Sequence, residues 1–462
     1  MNRRHFIQGL LAAGATPLMP GCLSATTYRA NGKVRLAAIG VGQQAWYDMQ
    51  EFIKCSDICE FVALCDTDMG SKETLDAVKA FPDLPRYRDF RVMFDEMADS
   101  IDAVLVAIPD FSHFPAVMHA MKLGKAVYVE KPLAHTFEEC SLLVAAAKKY
   151  GVVTQMGNQG HSSEKYHQFK EYVEKGIVKD VERVVVHMNY PRRWHKYGGN
   201  IFRYPDAMDV PKTLDWDSWL ATAQFHNYSD EYVRGEWRCW FDFGNGCLGD
   251  WGAHLMDCVH EFILKGDLPT RVELNRCEGW NQFVFPCATT MTFTFPKNER
   301  HDEMRLEWYD GAKNIPELPK GFVYATPDGI PQNSANVGED QIKLYPGKEM
   351  YCRDGTIWQS LSHKHPLHIV GDYNAKLPDY PAETETHYRN FILAVKGEQA
   401  ARSPFEIAAP LSQVFCLGCI AQRVNRGFSF DPTTGTIPDD IYANAFLKGP
   451  APRKGWEEYY KV

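Results

Sequence analysis

Asp250, His254, Asp257 and Glu261 recur at intervals of three and four residues, so on a helix they share one face. Trp251, Leu255, Cys258 and Phe262 form an apolar stripe beside them. Alone, that pattern equally suits an amphipathic helix with a solvated acidic face. The turn before it, Gly244-Asn245-Gly246-Cys247-Leu248-Gly249, would present Asp250 and His254 at a helix N-terminus. There Asp250 can orient His254 and stabilise its protonated form, leaving an imidazole that titrates near neutrality and serves as a general base. Glu130-Lys131-Pro132 adds a cation. Lys131 could donate a hydrogen bond to a substrate hydroxyl and lower the pKa of a neighbouring base, although an isolated Glu-Lys pair is ordinarily solvated.

These groups need a scaffold that brings strand ends and a helix together. From Lys33 to Gly160 short apolar runs alternate with amphipathic segments. The pattern predicts strands at 34–39, 61–65, 103–108, 126–129 and 152–156, with helices at 43–54, 72–81, 115–123 and 137–150. Such alternation implies a parallel sheet covered on both faces, a doubly wound α/β fold.

The first strand runs into Gly40-Val41-Gly42-Gln43-Gln44-Ala45, which fits G-x-G-x-x-G/A at a strand-to-helix junction. Gly40 permits the tight turn, Gly42 lets backbone approach a pyrophosphate, and Ala45 lets the helix pack closely. The helix N-terminus then offers unpaired N–H groups to the phosphates. Asp66 ends the second strand, 24 residues after Gly42, where a carboxylate accepts from ribose hydroxyls. No Arg or Lys follows it in Thr67-Asp68-Met69-Gly70, which favours NAD over NADP. Pro109-Asp110-Phe111-Ser112-His113 and Glu130-Lys131 lie at later strand ends, where open parallel sheets bind ligands.

The sequence resembles the Gfo/Idh/MocA oxidoreductases from about Lys33 to Asp439. The resemblance rests on Gly40-x-Gly42, Pro109-x-x-x-His113, Glu130-Lys131-Pro132 and Gly249-Asp250-Trp251-Gly252-Ala253-His254-Leu255-Met256-Asp257. It implies a Rossmann domain and a catalytic group of Lys131, Asp250 and His254. Asp110 stands where the family commonly has Asn. The expected cofactor set is Gly40, Gly42, Gln43, Gln44, Asp66, Pro109, Asp110, His113, Glu130, Lys131 and Asn158.

Beyond Gly160, runs at 184–190, 271–277, 288–295 and 304–309 read as strands, Thr290, Thr292 and Thr294 alternating with Met291, Phe293 and Phe295. The second domain is therefore expected to be α+β, an open, mainly antiparallel sheet with helices. By the family resemblance its uncovered face forms a substrate cavity or an oligomer interface, in a dimer or tetramer. Helices at 381–397 and 405–424 should pack back on the first domain. Of eleven tryptophans, Trp194, Trp216, Trp219, Trp237, Trp240 and Trp251 fall between positions 194 and 251. Indole faces stack on sugar rings, so a carbohydrate substrate is expected, though at least half of these residues should simply pack a core. His161, Arg192, Arg193, Trp237 and Trp251 are the substrate candidates, with His195 nearby. No spaced metal-ligand set emerges, and Cys416-Leu417-Gly418-Cys419 sits in a helical apolar run better read as core.

Arg3-Arg4-x-Phe6-Ile7 resembles a twin-arginine export motif, followed by an apolar stretch of about 14 residues, short of the about 20 that span a bilayer. Cys22 ends a loose lipobox and is a candidate lipid attachment site. The expected product is a periplasmic protein. The leader and linker would occupy 1–32, the NAD-binding domain 33–160 and the substrate domain 161–462. The remaining twelve cysteines lie mostly in apolar contexts as free thiols. Apolar residues at 45% and charged residues at 24% exclude a disordered chain. A formal charge of -9 disfavours nucleic acid as a partner.

Overall fold

The computed structural model describes residues 32–190, 192–325, 331–333, 344–361, 365–382 and 385–462. Arg3, Arg4 and Cys22 lie outside the described residues. The first unit contains β1 (Val34–Ile39), α1 (Gln44–Ile53), β2 (Cys59–Cys65), α2 (Leu75–Ala80), β3 (Arg86–Tyr87), α3 (Phe90–Met97), β4 (Ala103–Val106), α4 (Asp110–Lys122), β5 (Ala126–Glu130), α5 (Phe137–Tyr150) and β6 (Thr154–Gly157). Its six strands are ordered β3-β2-β1-β4-β5-β6 and all pair in parallel. The order reverses between β1 and β4, so the crevice beyond their carboxyl ends is the place for a ligand. Strands such as Ala103–Val106 are buried on both faces, as a sheet covered by helices requires. α5 starts where sequence chemistry dictates. Thr136 Oγ1 accepts from the Glu139 amide at 3.2 Å, and Glu139 Oε2 accepts from the Thr136 amide at 3.1 Å, a capping box.

The second unit adds α6 (Glu164–Glu174), β7 (Val181–Met188), α7 (Trp216–Leu220), α8 (Gly246–Leu255), α9 (Asp257–Phe262), β8 (Arg271–Glu278), β9 (Ala288–Phe295), β10 (Met304–Asp310), the ribbon β11 (Val323–Ala325) with β12 (Pro331–Asn333), β13 (Gly347–Cys352), β14 (Ile357–Ser360), β15 (His368–Ile369), α10 (His387–Val395), α11 (Phe405–Val424), β16 (Phe428–Ser429) and α12 (Ile441–Ala445). Its eight-stranded sheet is ordered β15-β14-β13-β7-β10-β9-β8-β16. The sheet is antiparallel except where β10 runs parallel to β7. One face, with Met291, Phe293, Phe295, Leu306 and Trp308, joins the core that also takes in α11. Full burial of each such side chain contributes about 1.5–3 kcal/mol. Helices α10 and α11 return to the first unit: Phe391 and Ile392 pack with Phe52 and Tyr128, and Ser412 Oγ accepts from the Leu133 amide at 3.1 Å. Cys416 is buried in α11, while Cys419 Sγ donates to the Asn245 carbonyl at 3.3 Å. Both are free thiols.

The sequence reading did not place β3, α3 or β11–β16, and some elements that it did place differ: α10 starts at His387 rather than at 381. α4 begins at Asp110, five residues before the predicted start at Pro115, which lies inside the helix. Proline favours a first helical position, but here its missing N–H costs only one early-turn bond. The acidic stripe is divided, because the helix is interrupted at Met256 between α8 and α9.

α8 lies close against α11 because Gly252 has no side chain. A Cβ there would stand 2.5 Å from the ring of Phe415, which is fully buried. Gly252→Val is expected to destabilise the fold by about 1–3 kcal/mol through overpacking, read as a lower thermal midpoint. Phe415→Leu in the same chain should restore part of that loss.

Candidate active site

The glycine turn is built to bring backbone, not side chain, to a ligand. Gly40 has φ 88°, and a Cβ on it would collide with the Ala107 carbonyl at the end of the neighbouring strand. At Gly42 a Cβ would stand 3.0 Å from the Glu73 carbonyl oxygen. Gln43 is held at φ 49°, a conformation that costs a non-glycine residue about 1–3 kcal/mol and persists where surrounding structure enforces it. Asp66 braces the turn: its Oδ2 accepts from the Val41 amide and its Oδ1 from the Asp68 amide, each at 3.0 Å. Each oxygen keeps a lone pair for a ribose hydroxyl. The turn, the start of α1 and Asp66 therefore fit the pyrophosphate and ribose of a dinucleotide.

They line a cleft of about 480 Å³ that continues past Pro109, Asp110 and His113 to Glu130 and Lys131. Its far wall is the segment from Pro211 to Arg238, including Thr213, Trp219, Tyr228 and Trp237. This wall is tied to the ribose end by the Asp215 amide, which donates to the Thr67 carbonyl at 2.8 Å. Lys72, Arg88 and Arg234 also line the cleft, cations that the residues directly after Asp66 did not reveal.

At the catalytic end, Lys131 Nζ donates to Asp250 Oδ1 at 2.7 Å and to the Asp250 carbonyl at 3.2 Å. Asp250 thus links α8 to the end of β5. Arg238 Nε stands 3.7 Å from the same Oδ1. Burial alone would raise the Asp250 pKa, yet Lys131 and Arg238 hold the carboxyl well below the usual range, so it is ionised throughout the neutral region. His254 lies one turn further along α8, half-buried, with its ring 5.6 Å from that of Trp251. The cation on Lys131 and the imidazole of His254 both bear on Asp250, which brings together the three residues expected to be catalytic.

His113 acts as a strut. Its Nδ1 lies 2.9 Å from the Pro132 carbonyl and its Nε2 2.8 Å from the Ile108 carbonyl, tying the lysine turn to the end of β4. Burial pushes its pKa down to about 4, against the raising effect of those carbonyls. Asp110 accepts from the Asn245 amide at 3.0 Å, joining α4 to the turn before α8. Burial lifts its pKa to about 7, opposed chiefly by Arg238.

Behind Lys131 lies a second carboxyl pair. Asp48 is fully buried on α1 and accepts from Gln44 Nε2 at 2.9 Å and Tyr388 Oη at 2.8 Å. Gln159 Nε2 donates to Glu130 Oε1 at 2.6 Å. Burial, and then mutual repulsion, raise Asp48; burial also raises Glu130 against the pull of Lys131. Gln44 and Glu130, expected at the cofactor, line the cleft while also anchoring this network. Sequence reasoning missed Asp48, Asn245 and Arg238. Only Asp48 left a signal, an acid among Ala45, Met49 and Phe52 on the buried face of α1.

Asn158 and His161 are directed elsewhere. Asn158 Nδ2 donates to Asp257 Oδ2 at 2.9 Å, and His161 Nδ1 lies 3.1 Å from the same atom. His161 Nε2 stands 3.2 Å from Glu261, which also accepts from Tyr166. Burial opposes protonation of His161, but Asp257 and Glu261 raise its pKa. These ligand atoms cluster closely enough to hold a cation, although the groups already satisfy one another. None of them lines the cleft. Trp219 lines the cleft with Trp216 stacked on it at 4.5 Å, and Trp216 and Trp240, both buried, pack that wall from behind. The side chain of Trp194 is outside the described residues. Arg192 lies 5.7 Å over the Trp251 ring, and His195 Nε2 stands 3.8 Å from Asp310.

Because its folded pKa is raised, Asp110 imposes a cost that is absent below the unfolded carboxylate value and complete above about 7. Asn can keep the bond from the Asn245 amide. Asp110→Asn should therefore raise the thermal midpoint more at about pH 8 than at about pH 5, measured by calorimetry; an equal change at both would contradict a titrating Asp110.

Residues 34–158 match the oxidoreductase family with an NAD-binding Rossmann fold, Gfo/Idh/MocA, and residues 163–293 match its C-terminal alpha/beta domain. An uncharacterized oxidoreductase of Streptococcus pneumoniae is 24% identical over 253 residues, covering 50% of this chain and 66% of that protein. A glycosyl hydrolase family 109 protein of Shewanella pealeana is 29% identical over 171 residues, covering 32% of this chain and 37% of its own length. The chain thus spans between about a third and two thirds of these relatives. The crystal structure of the WlbA dehydrogenase from Bordetella pertussis, in complex with NADH and UDP-GlcNAcA, superposes with a TM-score of 0.57 at 12% identity, covering 86% of this chain and 99% of that one. With both of its characteristic domains matched in order and the cleft formed between them, the chain belongs to the Gfo/Idh/MocA oxidoreductase family.

Proposed function

We propose that the protein is an NAD-dependent dehydrogenase that oxidises or reduces a hydroxyl or keto carbon of a sugar, sugar derivative or polyol. The observation that carries this reading is the 2.7 Å contact of Lys131 with Asp250, at one end of a cleft whose other end is the Gly40 turn and Asp66. When bound, the nicotinamide supplies the hydride acceptor or donor. Lys131 positions the substrate oxygen and offsets the negative charge that grows on it. His254 takes the hydroxyl proton as the carbonyl forms, and returns it in the reverse direction. Asp250 holds the ammonium in place and stabilises the imidazolium that results.

The likeness to a glycosyl hydrolase family 109 protein supports a second reading on the same residues. In it the sugar carbon is oxidised transiently, a proton and the leaving group are eliminated, water adds to the resulting unsaturated ketone, and return of the hydride restores the cofactor to its starting state. Both readings accord with NAD held tightly beneath the 211–238 wall. Export in folded form through the Arg3-Arg4 leader, to the periplasm with Cys22 as lipid anchor, suits a protein loaded with cofactor before transit. Self-association into a dimer or tetramer belongs to the same proposal.

Incubation with a panel of sugars and glycosides separates the two readings. NADH accumulation without bond cleavage is expected for the dehydrogenase, and aglycone release without net NADH for the glycosidase. His254→Ala should lower kcat by about 10²–10⁴-fold while cofactor binding, followed by nicotinamide fluorescence, persists; full activity would remove His254 from the mechanism. Mass spectrometry of the denatured purified protein should release NAD after extensive dialysis. Recovery of NADP would refute the role given to Asp66.

A further inference from the structure

The charges around Asp250 do not balance. Gly235, with φ 92°, lines the cleft, and its missing side chain leaves room for two guanidinium groups. A Cβ on Gly235 would collide with Arg193 Nη1 and stand 3.4 Å from Arg238 Nη1. Two like charges therefore converge beside Gly235, where Arg238 lines the cleft. Arg238 sits over Trp237, its Cζ 4.0 Å from the ring centroid, which restrains the guanidinium. Its nearest carboxylate, Asp250, is at 3.7 Å and is already engaged by Lys131 at 2.7 Å. Among the described residues, no carboxylate lies within salt-bridge distance of Arg193; neighbouring Glu236 pairs instead with Lys196 at 3.1 Å. Burial lowers the Arg193 pKa first, and repulsion from Arg238 lowers it further.

Lys131 and Asp250 neutralise each other, and Arg238 bears on the buried carboxyl of Asp110, while Arg193 feels Asp250 and Glu236 only from beyond salt-bridge distance. Even when Asp110 is ionised, the group keeps an excess of one positive charge. Holding two half-buried guanidinium groups together is unfavourable without a counter-ion. A planar carboxylate matches their forks in bidentate geometry, and a monoanion matches the excess better than a dianion.

We propose that the substrate is a sugar acid, an aldonate or uronate free or within a glycoside, whose carboxylate is bound by Arg193 and Arg238. This deepens the reading of the cleft as a sugar oxidoreductase site and rests on it.

The test uses the NAD-loaded full-length protein. Glucuronate, galacturonate and gluconate, and the corresponding aryl glycosides, are compared with glucose, galactose, glucitol and glucose 6-phosphate, following NADH formation and aglycone release. Sugar acids should exceed their neutral counterparts in kcat/KM by about 10–100-fold, as expected for hydrogen bonds to a charged group. In Arg193→Gln and Arg238→Gln that acid-to-neutral ratio should fall toward one. Arg193→Lys, which keeps the charge and loses the fork, serves if Gln disturbs folding, and should lower the ratio only in part. Neutral sugars equalling the acids, or the phosphate ester surpassing them, would overturn this inference and leave the oxidoreductase reading intact. Turnover of none of these compounds by the NAD-bound protein would overturn both.

Discussion

The ion pair between Lys131 and Asp250 is the contact on which the rest of the site depends. Its members are 119 residues apart and belong to different units, so neither can adopt its position until both have folded and docked. Lys131 is delivered by the end of a buried parallel strand, and Asp250 by a helix whose glycines let it sit against α11. At 11% and 13% side-chain exposure, each charge would be costly alone. Lys131 and Arg238 keep Asp250 ionised. The pair also explains why α11 must return to the first unit: it clamps α8 from behind.

Around that pair the protein accumulates charges that do not satisfy one another. Asp110 and Glu130 are carboxyls held protonated more readily than in water, Asp48 backs Glu130 from the dinucleotide helix, and Arg193 and Arg238 crowd a single glycine. Structural cores normally avoid such arrangements. Their concentration along one cleft is what distinguishes a working surface from a packed interior. The network through Gln44, Asp48 and Glu130 also couples the first turn of α1 to the lysine turn, so the two ends of the cleft share one set of buried hydrogen bonds.

Much of this was legible in the order of residues. Gly40 and Gly42 declare their purpose because only a residue without Cβ fits where the Ala107 and Glu73 carbonyls approach. Strand and helix periods located β1, β2, β4, β5 and β6 but not the two-residue β3, and α5 and α11 were read to the residue, because apolar spacing is a local property. The start of α4 was misread because Pro115 imitates a helix start. Asn158 was expected at the cofactor and His161 at the substrate, but their hydrogen bonds go to Asp257. Half of the expected polar stripe, Asp257 and Glu261, is therefore engaged away from the cleft.

Local chemistry thus marked the dinucleotide turn, and the order of motifs pointed to the family and nominated Lys131, Asp250 and His254, since each motif depends on neighbours within one element. The tertiary structure alone decided which charges meet. The segment between positions 211 and 238 has no regular period, so nothing in its spacing announced that it walls the cleft, brings Arg238 to Asp250 and sets Arg193 beside it. Electrostatic balance is a sum over groups remote in sequence, and it exists only once the chain has brought them within a few ångströms.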